Sequence, residues 1–129
     1  MNIHSQRIVP AWKDEFYARF PHLFADVLTG TESVSPLTER GIECGIGWKK
    51  ILEKLCIELE AMITTFPEAE RGDFRVTQLK QKFGTLRCYM SKLTPVMIKK
   101  IDAAEIETMK VCELCGKPDH EDRPCPTKR

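Results

Sequence analysis

The sequence predicts an α+β domain. A helical periodicity runs unbroken over residues 48–66. A period-two pattern occupies residues 74–91 and is divided by Phe83-Gly84. A helix start stands at Thr94-Pro95, a capping hydroxyl followed by a proline whose fixed φ suits the first helical turn.

From the N-terminus, residues 1–11 read as an arm. Trp12, Phe16, Tyr17 and Phe20 recur at i, i+4, i+5 and i+8, a helical face over 12–20 that Pro21 stops. Leu23, Phe24, Val27 and Leu28 continue an apolar face up to Gly30, and residues 29–41 read as a loop. Gly45 and Gly47 permit a tight start to the long helix. In that helix Trp48, Ile51, Leu52, Leu55, Cys56, Leu59, Met62, Ile63 and Phe66 form one apolar stripe. Cys56 on this stripe reads as a small buried hydrophobe. Pro67 ends the helix.

If Phe83-Gly84 is a two-residue turn, Lys82 opposes Thr85. One hairpin face then carries Gln78, Lys80, Lys82, Thr85, Arg87 and Tyr89, and the other Thr77, Leu79, Gln81, Leu86, Cys88 and Met90. The first face is basic. The second is mostly apolar and is expected to pack on the 48–66 helix through Leu79, Leu86 and Cys88. Such a type I′ turn places Phe83 at positive φ, an unusual position for a phenylalanine. A longer loop would ease the turn but mix the faces, so the patterning favours the two-residue form. Val96, Met97, Ile98, Ile101, Ala104 and Met109 support a last helix over about 95–110.

A chain of 129 residues is one domain's worth: an arm at 1–11, an α+β core at 12–110 and a metal-binding segment at 111–129. Apolar residues at 42% and charged residues at 30% exclude a disordered composition. No apolar run has membrane-spanning length, and Met1–Arg7 holds no hydrophobic leader core, so the expected location is the cytoplasm. In that reducing compartment the six cysteines read as thiols or metal ligands ahead of a disulfide framework.

The C-terminal segment reads Cys112-x2-Cys115-x4-His120-x4-Cys125. Three thiolates and one imidazole can close a tetrahedron around zinc, and a set of four protein ligands predicts one structural ion, not a catalytic one. Gly116 tolerates the turn that aims amide hydrogens at the sulfurs. The spacing matches the zinc knuckle of retroviral nucleocapsid-type proteins. Glu113, however, stands where a base-stacking aromatic is expected, and Asp119 rather than glycine precedes His120. A redox Cys-x-x-Cys should open a helix beside a strand, whereas this one follows a helix. His4 and His22 stand isolated.

From Phe74 to Lys100 seven basic residues and no acidic ones give +7; the chain totals +1, so the remainder carries −6. A basic hairpin in acidic surroundings can attract phosphates or an acidic protein, or can simply guard an edge strand with solvated lysines. The expected contact residues are Lys80, Lys82, Arg87 and Tyr89.

The runs Gly41–Trp48, Val76–Tyr89 and Cys112–Gly116, together with Phe20–Phe24, resemble a family of small proteins encoded by bacteriophages and prophages. The resemblance covers roughly residues 16–116. It implies a cytosolic, virus-encoded accessory protein and supplies no activity. Members of that family commonly close the C-terminal metal site with a later Cys-x2-His pair. Here Pro126, Thr127 and Lys128 follow Cys125, which makes His120 the substitute.

Three functions compete. The first is a zinc-containing binding protein that docks its hairpin onto a macromolecular partner, such as a host defence or nucleic-acid-processing complex, and so inhibits it without being an enzyme. The second is direct single-stranded nucleic-acid binding through knuckle and hairpin. The third is a nuclease or thiol redox enzyme, for which the sequence shows no recognisable catalytic set.

Overall fold

The computed structural model describes residues 11–30 and 35–118. The first ten residues of the arm, and the expected ligands His120 and Cys125, lie outside the described residues.

The protein is α+β, in the order α1 (Ala11–Arg19), α2 (Ala25–Thr29), α3 (Pro36–Arg40), α4 (Lys49–Ile63), α5 (Glu68–Arg71), β1 (Val76–Lys82), β2 (Thr85–Met90) and α6 (Pro95–Thr108). A 3-10 turn at Ile46–Trp48 leads into α4. No helix among the described residues is long and apolar enough to cross a membrane.

The aromatic residues at helical spacing in α1 do form one cluster. The Phe16 ring stands edge-on to Trp12, Phe20 and Phe24 at centroid distances of 5.8, 5.0 and 6.1 Å. Such edge-to-face pairs add to area burial because a ring's positive edge meets a negative face. Gly30 ends α2 in the left-handed conformation at φ 63°. Leu28, expected on the apolar face, is exposed.

The expected 29–41 loop is interrupted by α3. The reason lies in its capping chemistry. Ser35 accepts from the Thr38 amide, Thr38 accepts from the Ser35 amide, and Pro36 occupies the first turn. That reciprocal pair satisfies helix-start donors with only a few residues of helix behind it.

Helix α4 buries Leu52, Leu55, Cys56, Leu59 and Ile63, the stripe the periodicity picks out. It stops at Ile63, short of the expected Phe66, and Pro67 stands at the start of α5.

The hairpin pairs Lys82 with Thr85, Lys80 with Arg87, and Leu79 with Cys88. Phe83 and Gly84 both take positive φ, 55° and 80°, so the turn is the two-residue form. Leu79, Leu86 and Cys88 are buried in the same core as the α4 stripe. Two positions depart from strict alternation. A bulge between Val76 and Gln78 turns Val76 into the core in place of Thr77. Gln81, expected inside, is exposed near the hairpin tip.

On its outer edge β1 gains one further bridge: the Glu43 amide donates to the Leu79 carbonyl at 2.8 Å, and the Gln81 amide donates to the Glu43 carbonyl at 3.0 Å. Helix α6 flanks β2, where the Leu86 amide donates to the Thr108 hydroxyl at 3.0 Å. Thr94 caps α6 by accepting from the Met97 amide at 3.2 Å.

Candidate functional site

Two surfaces carry the candidate chemistry, a Cys-x-x-Cys-Gly turn behind α6 and the outer hairpin face.

Behind α6 the chain makes a closed turn. The Gly116 amide donates to the Cys112 carbonyl and the Cys112 amide donates to the Lys117 carbonyl, both at 2.8 Å. Gly116 holds φ 78°, a conformation that penalises any side chain. The Leu114 amide points at Cys112 Sγ from 3.4 Å. An amide aimed at a cysteine sulfur stabilises negative charge there, which is what a metal-ligating thiolate needs.

The turn rests on residues 45–48. The Gly47 amide donates to the Glu113 carbonyl at 2.7 Å. The Trp48 indole donates to the Val111 carbonyl at 2.8 Å. The Glu113 carboxylate accepts from the Gly45 amide at 2.9 Å and from the Gln81 side-chain amide at 2.8 Å. A Cβ on Gly47 would collide with the Cys112 carbonyl oxygen and sit 2.5 Å from the Gly116 nitrogen; one on Gly45 would collide with the Glu113 carbonyl. The two glycines therefore admit the backbone of 112–116, a role added to their place in the tight 3-10 entry to α4. Their signal in the sequence was the Gly-x-Gly-Trp run itself, but nothing local says what approaches it.

Cys112 and Cys115 are half-buried, and no disulfide joins either of them to another described cysteine. Among the described residues no cluster of three metal-ligating side chains occurs. The two thiols supply half of a tetrahedral set and fit zinc by donor type and by the amide on Cys112 Sγ. Cys115 and Gly116 also border a groove of about 440 Å³ with Ile46, Lys50, Ile51 and Val111.

The other three described cysteines lie in the core. Burial pushes the Cys44 thiol up to about 12, with the Glu113 carboxylate adding and Lys13 opposing. Burial also pushes Cys88 up to about 12, with Glu105 adding to it, and raises Cys56. Protonated, enclosed thiols are poor nucleophiles and behave as small hydrophobes.

On the hairpin, Lys82 and Tyr89 are exposed, while Lys80 and Arg87 are half-buried. The pairing brings all four to one face with Gln78 and Thr85. Structure adds acids that the linear count left out. Glu43 bridges next to Lys80 along β1. The Arg87 charge acts on Glu105 of α6, opposing the rise that burial imposes on that carboxyl. Arg87 Nε is buried and finds no hydrogen-bond partner among the described residues.

Three other cations of the +7 segment are paired: Arg75 donates to both oxygens of buried Asp26 at 3.1 Å. Lys92 lies 4.0 Å from Asp73, and Lys100 lies 3.8 Å from Glu58. Within the described residues Lys80 and Lys82 of the hairpin and Lys99 of α6 make no ion pair, so on the hairpin itself the unpaired lysines stand in its tip half.

The fold and site together define a helix-flanked hairpin protein with a Cys-x-x-Cys-Gly turn seated on a glycine pair. No protein-family model, curated protein or solved structure matches the chain.

Proposed function

We propose that the protein acts by binding, as a zinc-containing accessory protein of the cytoplasm that presents its basic hairpin to a macromolecular partner. Zinc is held by Cys112, Cys115, His120 and Cys125 and orders the C-terminal segment. The partner is a protein complex of the host, of the defence or nucleic-acid-processing kind, which the hairpin occludes.

The observation that carries this reading is the asymmetry of the hairpin. Its inner face is fixed by Leu79, Leu86 and Cys88 in the core, while its outer face holds Lys82 and, beside Glu43, Lys80, neither of which makes an ion pair among the described residues. A rigid support beneath unpaired charge presents a surface already ordered for association, which lowers the entropy that binding must overcome. Exposed aromatics beside these cations, Tyr89 and Phe83, favour single-stranded nucleic acid as the second reading.

A Lys80→Gln, Lys82→Glu variant tests the proposal. Lys82 is exposed, half-buried Lys80 keeps a polar side chain of similar length as glutamine, and surface charges contribute ~0–1 kcal/mol to folding, so the melting temperature should hold. Recovery of the partner should collapse. Undiminished recovery overturns the reading. Loss confined to oligonucleotide affinity, with its steep salt dependence, replaces it by the second.

A further inference from the structure

Phe83 is the one non-glycine residue with positive φ among those described, at 55°, and its side chain is 88% exposed. The first position of a type I′ turn prefers asparagine, aspartate or glycine, because a larger side chain there crowds its own backbone. A phenylalanine at that point strains the turn and leaves an apolar ring in water. It lies outside the core cluster, so the fold gains nothing from it. Strain that the fold does not use points to a function outside the fold.

Resting on the reading that the hairpin is the contact surface, we propose that Phe83 is its anchor: the ring enters an apolar pocket on a protein partner, and Lys82 meets a carboxylate at the pocket rim. Lys82 Nζ lies over the Phe83 ring, 5.6 Å from its centroid, so the cation accompanies the ring to the contact. A ring flanked by a cation matches an apolar pocket with an acidic rim.

Three features favour protein over nucleic acid. Phe83 projects from the apex of the hairpin, whereas base-stacking platforms lie along a face. Tyr89, the other exposed aromatic on the hairpin, is roughly 16 Å away at ~3.3 Å per residue. Between them, Glu43 beside Lys80 and Glu105 near Arg87 break the positive track that a phosphate backbone follows.

The test places the photo-crosslinker p-benzoylphenylalanine in the full-length chain in living bacteria, in place of Phe83 or, as control, in place of exposed Glu68 of α5, outside the hairpin. Irradiation should give a discrete protein adduct at position 83 and none at 68. The crosslinked peptide should be apolar with aspartate or glutamate beside it, and Lys82→Glu should reduce the adduct about tenfold.

In parallel, Phe83→Asn and Phe83→Gly both accept the backbone conformation and should keep or raise the melting temperature. Both should cut recovery of that same partner by about tenfold or more. No adduct at 83, equal adducts at both positions, nuclease-sensitive adducts, or parental recovery with Phe83→Asn would each overturn the anchor. If Lys80→Gln, Lys82→Glu abolishes recovery while Phe83→Asn leaves it intact, the hairpin reading stands and the anchor falls. If neither variant reduces recovery, both fall.

Discussion

The Glu113 carboxylate accepts a hydrogen bond from the Gly45 amide at 2.9 Å, across 68 positions of sequence. Its other oxygen accepts from Gln81 of β1 at 2.8 Å. One acidic side chain thereby ties the Cys-x-x-Cys-Gly turn to the glycine seat and to the hairpin. The candidate metal segment and the candidate contact surface are mechanically joined through it.

The seat makes Gly47→Ala a severe change for a single methyl group. The added carbon meets backbone on the Cys112 and Gly116 sides, and backbone cannot swing away as a side-chain end can. Overpacking of this kind costs about 1–3 kcal/mol. Thermal melting should show that loss, and the Trp48 indole, released from the Val111 carbonyl, should report the lifted turn by a change in fluorescence. Gly72→Ala, where nothing lies within 4 Å, is the matched control and should stay near parental stability.

The hairpin register is tested by Leu86→Asp. Leu86 is fully buried, and a carboxylate there has neither water nor a partner. The change should cost several kcal/mol, of the order of the whole stability of a small domain. Circular dichroism at ambient temperature should show a largely unfolded chain. An unchanged melting temperature would contradict the burial of this face.

Most of the fold was legible because its signals are local. The 3.6-residue stripe of α4, the alternation around Phe83-Gly84 and the Thr94-Pro95 cap each need only near neighbours in sequence. What escaped was set at a distance or by a few atoms. Helix α3 depends on two hydroxyls, Ser35 and Thr38, inside a stretch whose composition reads as loop. Val76 reaches the core through a bulge that breaks parity, and Gln81 is held outside by Glu113. At the site, Cys112 and Cys115 were legible from their spacing. The role of Gly45 and Gly47 was not, since the backbone they admit arrives more than sixty positions later. The charge count on the hairpin was legible as a sum, but Asp26, Glu43 and Glu105 enter its surroundings only through tertiary packing.

Arg75 illustrates that last point with a measurable consequence. Asp26 is almost wholly buried, and Arg75 is its counter-charge. Arg75→Met should strand the carboxylate and cost about 3–5 kcal/mol. The double variant with Asp26→Asn should recover much of that loss. Chemical denaturation of the single and double variants measures the coupling.

The buried thiols give a pH dependence. Cys44 and Cys88 start from an ordinary value of 9.0 and are pushed up to about 12 in the fold. Above pH 9 the unfolded chain therefore releases protons that the folded chain keeps, which favours unfolding. Their contribution to stability is full below pH 9 and falls as pH rises from 9 towards 12. Melting temperature measured at pH 8 and pH 10.5 should decline between the two, and Cys88→Ala should flatten the decline.

The most direct test of the account is the metal content of the full-length chain purified without chelator, read by elemental mass spectrometry. The account predicts about one zinc per chain, lost in Cys115→Ser and in Cys125→Ser, with Trp48 fluorescence changing as the metal is stripped. A metal-free chain with the same melting temperature as the zinc-supplemented protein would contradict it.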